Sequence, residues 1–346
     1  MREKTGTATN IYDVAKSANV AYSTVSNVLT NKKFVSEEMK QRVFEACRKL
    51  NYKPNFLAST LVTRKTGILG LFLETAEDFY SLVYPALIKG VGLHGSHHGY
   101  SPILFFNLLD KSAFSAPCFA STGLLDGAII LAPIENDFRI AELHKDNVPM
   151  VVIGTPPGGF DFSVPYADSD NREDTYTVTK HLLDNGHRNI AFLNSRYDMT
   201  ISQHRTEGFI KAYEEIGVPY DARLVFNIST DESAAYNLLS GLNPSLSYTA
   251  CITESNVSAK GVYAFARDKG LKIGVDFAVA SLSGMREELF SPELTTVCVD
   301  FEEVGVNAIN LLKKIIEAPD TADIYCKNKS DIFFGKSSNF VVNGKC

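Results

Sequence analysis

Residues 10–30 read NIYDVAKSANVAYSTVSNVLT, and their spacing decides the first part of the fold. Ile11, Val14, Ala15 and Ala18 recur at i, i+3, i+4 and i+7, the stripe of a short amphipathic helix over 11–18. Asn19-Val20 interrupts it. Val25, Val28 and Leu29 then supply the apolar face of a second helix and leave Tyr22, Ser23, Ser26 and Asn27 outside. Two short helices across a three- or four-residue turn form the motif whose second helix lies in the major groove of DNA. Ser36 is placed to cap a third helix over 37–50, with Val43, Phe44, Cys47 and Leu50 inward. Such a mini-domain of roughly 50 residues is marginal alone.

The same helices would also suit a larger all-α region, and charge separates the two readings. Residues 1–65 hold 12 Lys and Arg against 5 Asp and Glu, whereas the remainder is acidic and the whole chain stands at −6. A basic head on an acidic body is the footprint of nucleic-acid binding confined to one end.

Beyond Arg64 the pattern changes. Apolar runs at 67–73, 101–106, 127–132 and 149–154 alternate with helical periodicity, most clearly in a helix ending near residue 98. A second series follows: strands at 189–194, 249–253 and 277–282 between helices at 171–185, 202–216, 231–240 and 256–269. Strands and helices in this rhythm imply parallel sheets covered on both faces. Two series imply two lobes, with a ligand cleft at the carboxyl ends of the strands. The fold class is therefore α/β, with an N-terminal three-helix helix–turn–helix domain.

Composition agrees. An apolar content of 45% with 21% charged residues is ordinary for a globular protein, and no apolar run approaches the ~18 residues of a membrane helix. The six cysteines are scattered without a C-x-x-C pair, which reads as reduced thiols in a cytoplasmic protein.

Tyr12-Asp13-Val14-Ala15, residues 23–29 (STVSNVL), residues 51–55 (NYKPN) and Ala58-Ser59-Thr60-Leu61 resemble the LacI/GalR family of bacterial transcriptional regulators. The resemblance continues through residues 126–130 (DGAII), 170–173 (DNRE), 181–187 (HLLDNGH), 205–209 (RTEGF) and 294–297 (LTTV), and so covers nearly the whole chain. It implies a DNA-binding domain over 1–53, a hinge helix and linker over 54–65, and a two-lobed, periplasmic-binding-protein-like core over 66–346. Lobe 1 would take residues about 66–167 and 295–320, and lobe 2 about 168–294 and 321–346.

The resemblance also implies roles. Tyr22, Ser23 and Asn27 would face base edges, and Asn10, Thr24, Ser26 and Asn55 would hold phosphates. Leu61 would wedge into the minor groove from a hinge helix that orders only on DNA, because a two-turn helix is costly to nucleate. Asn27 stands where arginine is common, and asparagine prefers adenine where arginine prefers guanine. In the cleft, Arg205 occupies the effector-binding position, with Asn256 nearby and Phe79-Tyr80 as the aromatic wall; Val83-Tyr84 compete for that role. Asn256, Ser281-Leu282-Ser283 and residues 335–338 (GKSS) depart from the family pattern by losing carboxylates, which would make the cleft more tolerant of an anion.

The expected partners are double-stranded operator DNA, a small effector (a sugar or sugar phosphate), and a second copy of the chain as homodimer. The family role is a repressor of carbohydrate-related genes. Residues 325–346 contain no leucine, so no helical tetramerisation tail is expected. Enzyme signatures are poor. Gly335-Lys336-Ser337 resembles the tail of a phosphate loop, but Ser330 stands where its first glycine belongs, and His94, His97 and His98 share a helical face without a nearby carboxylate. Neither cofactor nor metal is expected. The competing reading is a sugar-binding protein of periplasmic type without DNA function, which would lack the basic helical head.

Overall fold

The computed structural model describes residues 9–30, 33–53, 65–73, 83–106, 122–243, 247–318 and 324–341. Two compact units result, Met1–Thr66 and Gly67–Cys346.

The first unit is built from α1 (Ile11–Ala18), α2 (Tyr22–Thr30) and α3 (Glu37–Lys49). α1 starts on a capping box: Asn10 Oδ1 accepts from the Tyr12 and Asp13 amides, and Asp13 Oδ2 accepts from the Asn10 amide. It stops at Asn19, which is left-handed at φ 51°. Arg42, reaching from α3, donates to the Ala18 and Asn19 carbonyls at 2.7 and 3.0 Å, so the exposed end of α1 is tied across the turn. Val14, Val25 and Val43, one from each helix, are fully buried at the centre. Ser36 caps α3 as the spacing requires. Phe44 does not face inward: it is 47% exposed, and Ala46 takes its place beside Val43 and Cys47. The core between three such short helices is narrow, and a phenyl ring two places before Ala46 points off its edge.

The second unit carries two six-stranded sheets. The first has the order β11-β5-β4-β3-β1-β2, all parallel, from β1 (Ile68–Phe72), β2 (Ser101–Phe105), β3 (Gly127–Leu131), β4 (Met150–Ile153), β5 (Tyr166–Asp168) and β11 (Tyr325–Lys327). Its helices are α4 (Val83–His97), α5 (Phe138–Lys145) and α10 (Phe301–Glu317). The second sheet has the order β12-β10-β9-β8-β6-β7, from β6 (Ile190–Asn194), β7 (Val225–Asn227), β8 (Ala250–Thr253), β9 (Ala278–Gly284), β10 (Thr295–Val299) and β12 (Ser330–Phe333). Only β12 is antiparallel. Its helices are α6 (Asn171–Asp184), α7 (Thr200–Glu215), α8 (Glu232–Gly241) and α9 (Asn256–Asp268). Buried aliphatic runs such as GAIIL and IAFLN read as continuous apolar strands because helices cover both faces.

The lobe boundaries differ from the sequence expectation. Strand β10 pairs in parallel with β9, so residues 295–299 complete lobe 2, not lobe 1. The chain then crosses, α10 packs on lobe 1 against α4, and β11 extends the first sheet beside β5 before β12 returns. A β-branched strand such as TTVCV carries no mark of the sheet it joins; pairing settles that. Strands β5, β7 and β11 are three residues each, too short for periodicity to reveal.

Candidate functional site

On the first unit, Tyr22 and Ser23 are exposed at the start of α2, while Thr24, Ser26 and Asn27 are half-buried along it. Tyr22 stacks on the exposed Tyr12 of α1, ring centroids 4.9 Å apart and planes 19° apart, so the two helices present one aromatic surface. Tyr12 was not among the sequence candidates, although YDVA flanked by a second tyrosine ten residues on was a visible signal. The side-chain oxygen of Asn10 is engaged in capping α1. Asn55 and Leu61 lie outside the described residues, as do Phe79 and Tyr80.

The second unit has a cleft between its lobes at the carboxyl ends of the strands. A cavity of about 150 Å³ opens there, walled by Val83, Tyr84, Leu131, Ile153, Leu282 and Phe301. Val83 and Tyr84, the competing pair, are thus both at the wall. Asp168 and Arg205 bring charge to it, one from each lobe. The lobes touch at its rim. The Glu135 amide donates to the Asp198 carbonyl at 2.7 Å, and Thr200 Oγ donates to the Thr155 carbonyl at 2.7 Å.

Arg205 is 3% exposed, near the start of α7. Its Nη1 donates to Ser195 Oγ at 3.2 Å and its Nη2 to the Leu282 carbonyl at 3.3 Å, while Nε has no partner. Burial brings its pKa down to about 10, against the pull of Glu254, Asp168 and Asp174, so it stays a cation. Asp168 accepts from Thr155 Oγ, the Ser169 amide and Asn171 Nδ2. Burial raises its pKa, and the hydrogen bonds from Thr155 and Ser169 offset only part of the rise.

Asn256 is not at the cavity wall. Its amide donates to the Met285 carbonyl and Glu287 Oε1, both at 2.8 Å, and its oxygen accepts from Thr296 Oγ. The group is spent on holding loop 285–287 against α9. Ser337 and Ser338 are likewise fully buried ties, Ser337 Oγ donating to the Val279 carbonyl and accepting from the Thr295 amide. They form no phosphate loop. Two carboxyl groups lie outside the positions the sequence singled out: Asp168 at the cavity wall and Glu254, buried just past the end of β8. Among the described residues no group of three or more metal-ligating side chains occurs, and His94 and His98 instead meet Asn310 and Lys313.

Asp174, below the cleft on α6, accepts from Ser330 Oγ at 2.7 Å. Burial pushes its pKa from 3.8 up to about 6. An acid whose folded pKa is raised favours the protonated fold. Its stability contribution is complete below pH 3.8 and lost as pH climbs through about 6. Asp174→Asn is therefore expected to raise unfolding free energy at pH 8 by on the order of 2–3 kcal/mol and to change it little at pH 3.5. Urea denaturation at the two pH values checks this, and an equal effect at both would contradict it.

The sequence pattern of the lacI family of bacterial regulatory proteins matches residues 10–55, and that of the periplasmic binding protein-like domain matches residues 179–324. The HTH-type transcriptional repressor PurR of Yersinia pestis bv. Antiqua (strain Antiqua) is 30% identical over 329 residues, 92% of this chain and 94% of its own. The chain belongs to the LacI family.

As a LacI-family protein it is a DNA-binding transcriptional regulator with an effector-binding core, neither an enzyme nor a sugar-binding protein without DNA function. The HTH-type transcriptional regulator RegA of Clostridium saccharobutylicum is 27% identical over 315 residues, covering 89% of this chain and 93% of its own. Solved structures share the fold. A complex of the transcriptional regulator CelR with cellobiose aligns at TM-score 0.72 and 24% identity, over 95% of this chain and 99% of that one. The lac repressor dimer bound to operator and the anti-inducer ONPF aligns at TM-score 0.80 and 20% identity, over 96% and 99%. Among the described residues no helix is long and apolar enough to cross a membrane.

Proposed function

We propose that this LacI-family chain is a cytoplasmic, homodimeric repressor of carbohydrate-related genes that reads an inverted-repeat operator and releases it when a small sugar occupies the cleft between its lobes. The observation that carries the DNA half is the outer face of α2, where Tyr22 and Ser23 stand exposed on the basic unit. Tyr22, Ser23 and Asn27 read base edges; Asn10, Thr24, Ser26 and Asn55 hold phosphates; Leu61, in the hinge over 54–65, wedges the minor groove. A dimer meets two half-sites on one face of the duplex. Selecting binding sites from random DNA tests the reading. Wild type is expected to enrich a palindrome with A·T at the position read by Asn27, and Asn27→Ala to relax that position alone. A preference for guanine there, untouched by Asn27→Ala, would contradict the assignment.

The cavity with Asp168 and Arg205 supports an effector site, and the cellobiose complex of CelR, a structure of like fold, supports the sugar class. Effector and operator are coupled by about 1–3 kcal/mol and reciprocally, so operator DNA lowers effector affinity by the factor the effector lowers operator affinity.

Dimerisation is supported by Leu93 on α4 and Ile103 on the edge strand β2, neighbouring elements of lobe 1 that both expose large apolar side chains. Ile103→Asp is expected to give a monomer in sedimentation, with operator affinity reduced about a hundredfold or more, since the second half-site is lost. An Ile103→Asp protein that remains dimeric would move the interface elsewhere.

A further inference from the structure

We propose that Glu254 sets the charge of the effector: it neutralises Arg205 from within the protein, so the cavity takes an uncharged, hydroxyl-bearing ligand and refuses an anion such as a phosphate ester. The inference rests on reading this cavity as the effector site, and it narrows the class of ligand that site accepts.

The sheet order puts the groups together. Strand β8 lies between β6 and β9. Arg205 donates to Ser195, just past β6, and to the Leu282 carbonyl in β9, so its guanidinium spans the carboxyl end of β8. Glu254 is the next residue after β8, and because Thr253 pairs with Ser281, it stands level with Leu282. It is 2% exposed. Oε1 accepts from Ser255 Oγ at 2.9 Å and Ser258 Oγ at 2.7 Å, whereas Oε2 has no hydrogen-bond partner.

A buried N–H on the cation and a buried oxygen on the carboxylate are thus both left unpaired, and leaving either so is costly. A guanidinium does not deprotonate in proteins, so at least one carboxylate around it must be ionised to balance it. Glu254, Asp168 and Asp174 are the acids whose charge favours the cation, and ionisation of any one of them supplies that balance before a ligand arrives. Arg205 is the sole Lys, Arg or His among the described residues lining the cavity. An incoming phosphate would meet one cation already surrounded by acids. A hydroxyl carries no charge and can accept from the unpaired N–H of Arg205 without upsetting that balance.

Inorganic phosphate and sulfate, against chloride at matched ionic strength, probe the charge rule with the full-length protein in thermal-shift and calorimetric titrations. Wild type is expected to show no saturable phosphate or sulfate binding. Glu254→Gln, which keeps the oxygen that Ser255 and Ser258 engage, is expected to gain phosphate affinity by about tenfold or more. The gain should vanish when Arg205→Met is added. Asp168→Asn, which removes the carboxylate at the cavity wall, is expected to move in the same direction and serves if Glu254→Gln does not fold. Phosphate binding by wild type that is lost in Arg205→Met overturns the proposal. So does a folded, operator-binding Glu254→Gln protein that still takes no phosphate. A panel of uncharged sugars tests the effector reading separately: if none stabilises the protein or releases operator, that reading fails while the phosphate arms still decide the charge rule.

Discussion

Arg205→Met is expected to lower the unfolding free energy of the two-lobed body by about 3 kcal/mol or more, although methionine nearly fills the vacated space. Two consequences add up. Ser195 Oγ and the Leu282 carbonyl lose a charged donor in a dry setting. Glu254, whose pKa burial already raises, loses the cation that pulls it back and must take up a proton or remain an unbalanced buried anion. Being an acid with a raised folded pKa, it then favours the fold at low pH, so the variant regains stability as pH falls. Adding Glu254→Gln to Arg205→Met is expected to restore most of the loss, because a neutral amide in that place needs no cation. Urea midpoints of wild type, both single variants and the double close the cycle. If the double variant is as unstable as Arg205→Met alone, the two groups are not coupled and the account of the cleft is wrong.

Gly208→Val should be comparably damaging through pure geometry. A Cβ at Gly208 would sit 2.1 Å from the Arg172 carbonyl oxygen and 3.0 Å from the Tyr176 amide, inside van der Waals contact with the backbone of α6. Backbone cannot rotate out of the way, so α6 and α7 would have to separate, opening the core around the buried Phe209, Val178 and Leu182. The expected cost is about 3 kcal/mol, at the upper end for overpacking. Gly241→Ala is the control. Nothing lies within 4 Å of a Cβ there, at the end of α8, and the change should stay within about 1 kcal/mol of wild type. Coincident urea transitions for the two variants would show that α6 and α7 have slack the glycine contact denies. Because Arg205 lies one turn before Gly208 on the same helix, the valine variant should also lose its ligand response.

The DNA-reading unit was largely legible in the chain because its determinants are local. Asn10 and Asp13 cap each other three residues apart, Ser36 caps α3, and Val14, Val25 and Val43 fall on the faces their helical spacing demands. Phe44 shows the limit: apolar character alone placed it inward, while a core of three short helices has no room for it. The alternation of apolar strands with helices was legible for the same local reason. Which sheet a strand joins was not, as β10 and β11 show, since edge pairing of short strands depends on partners far along the chain.

Taken alone, the chain determined two helices and a turn carrying a polar outer face, a basic head, two α/β series, and an arginine at position 205 with a glycine one turn on. Periodicity, capping and charge act over a few residues and can be read there. Only the tertiary structure decided that Asn256 is consumed by Met285 and Glu287, and that Glu254 stands at the end of β8 between the two strands Arg205 bridges. Those pairings join residues tens of positions apart, and a side chain's partner in a dry cleft is chosen by sheet order and burial, which no local pattern encodes.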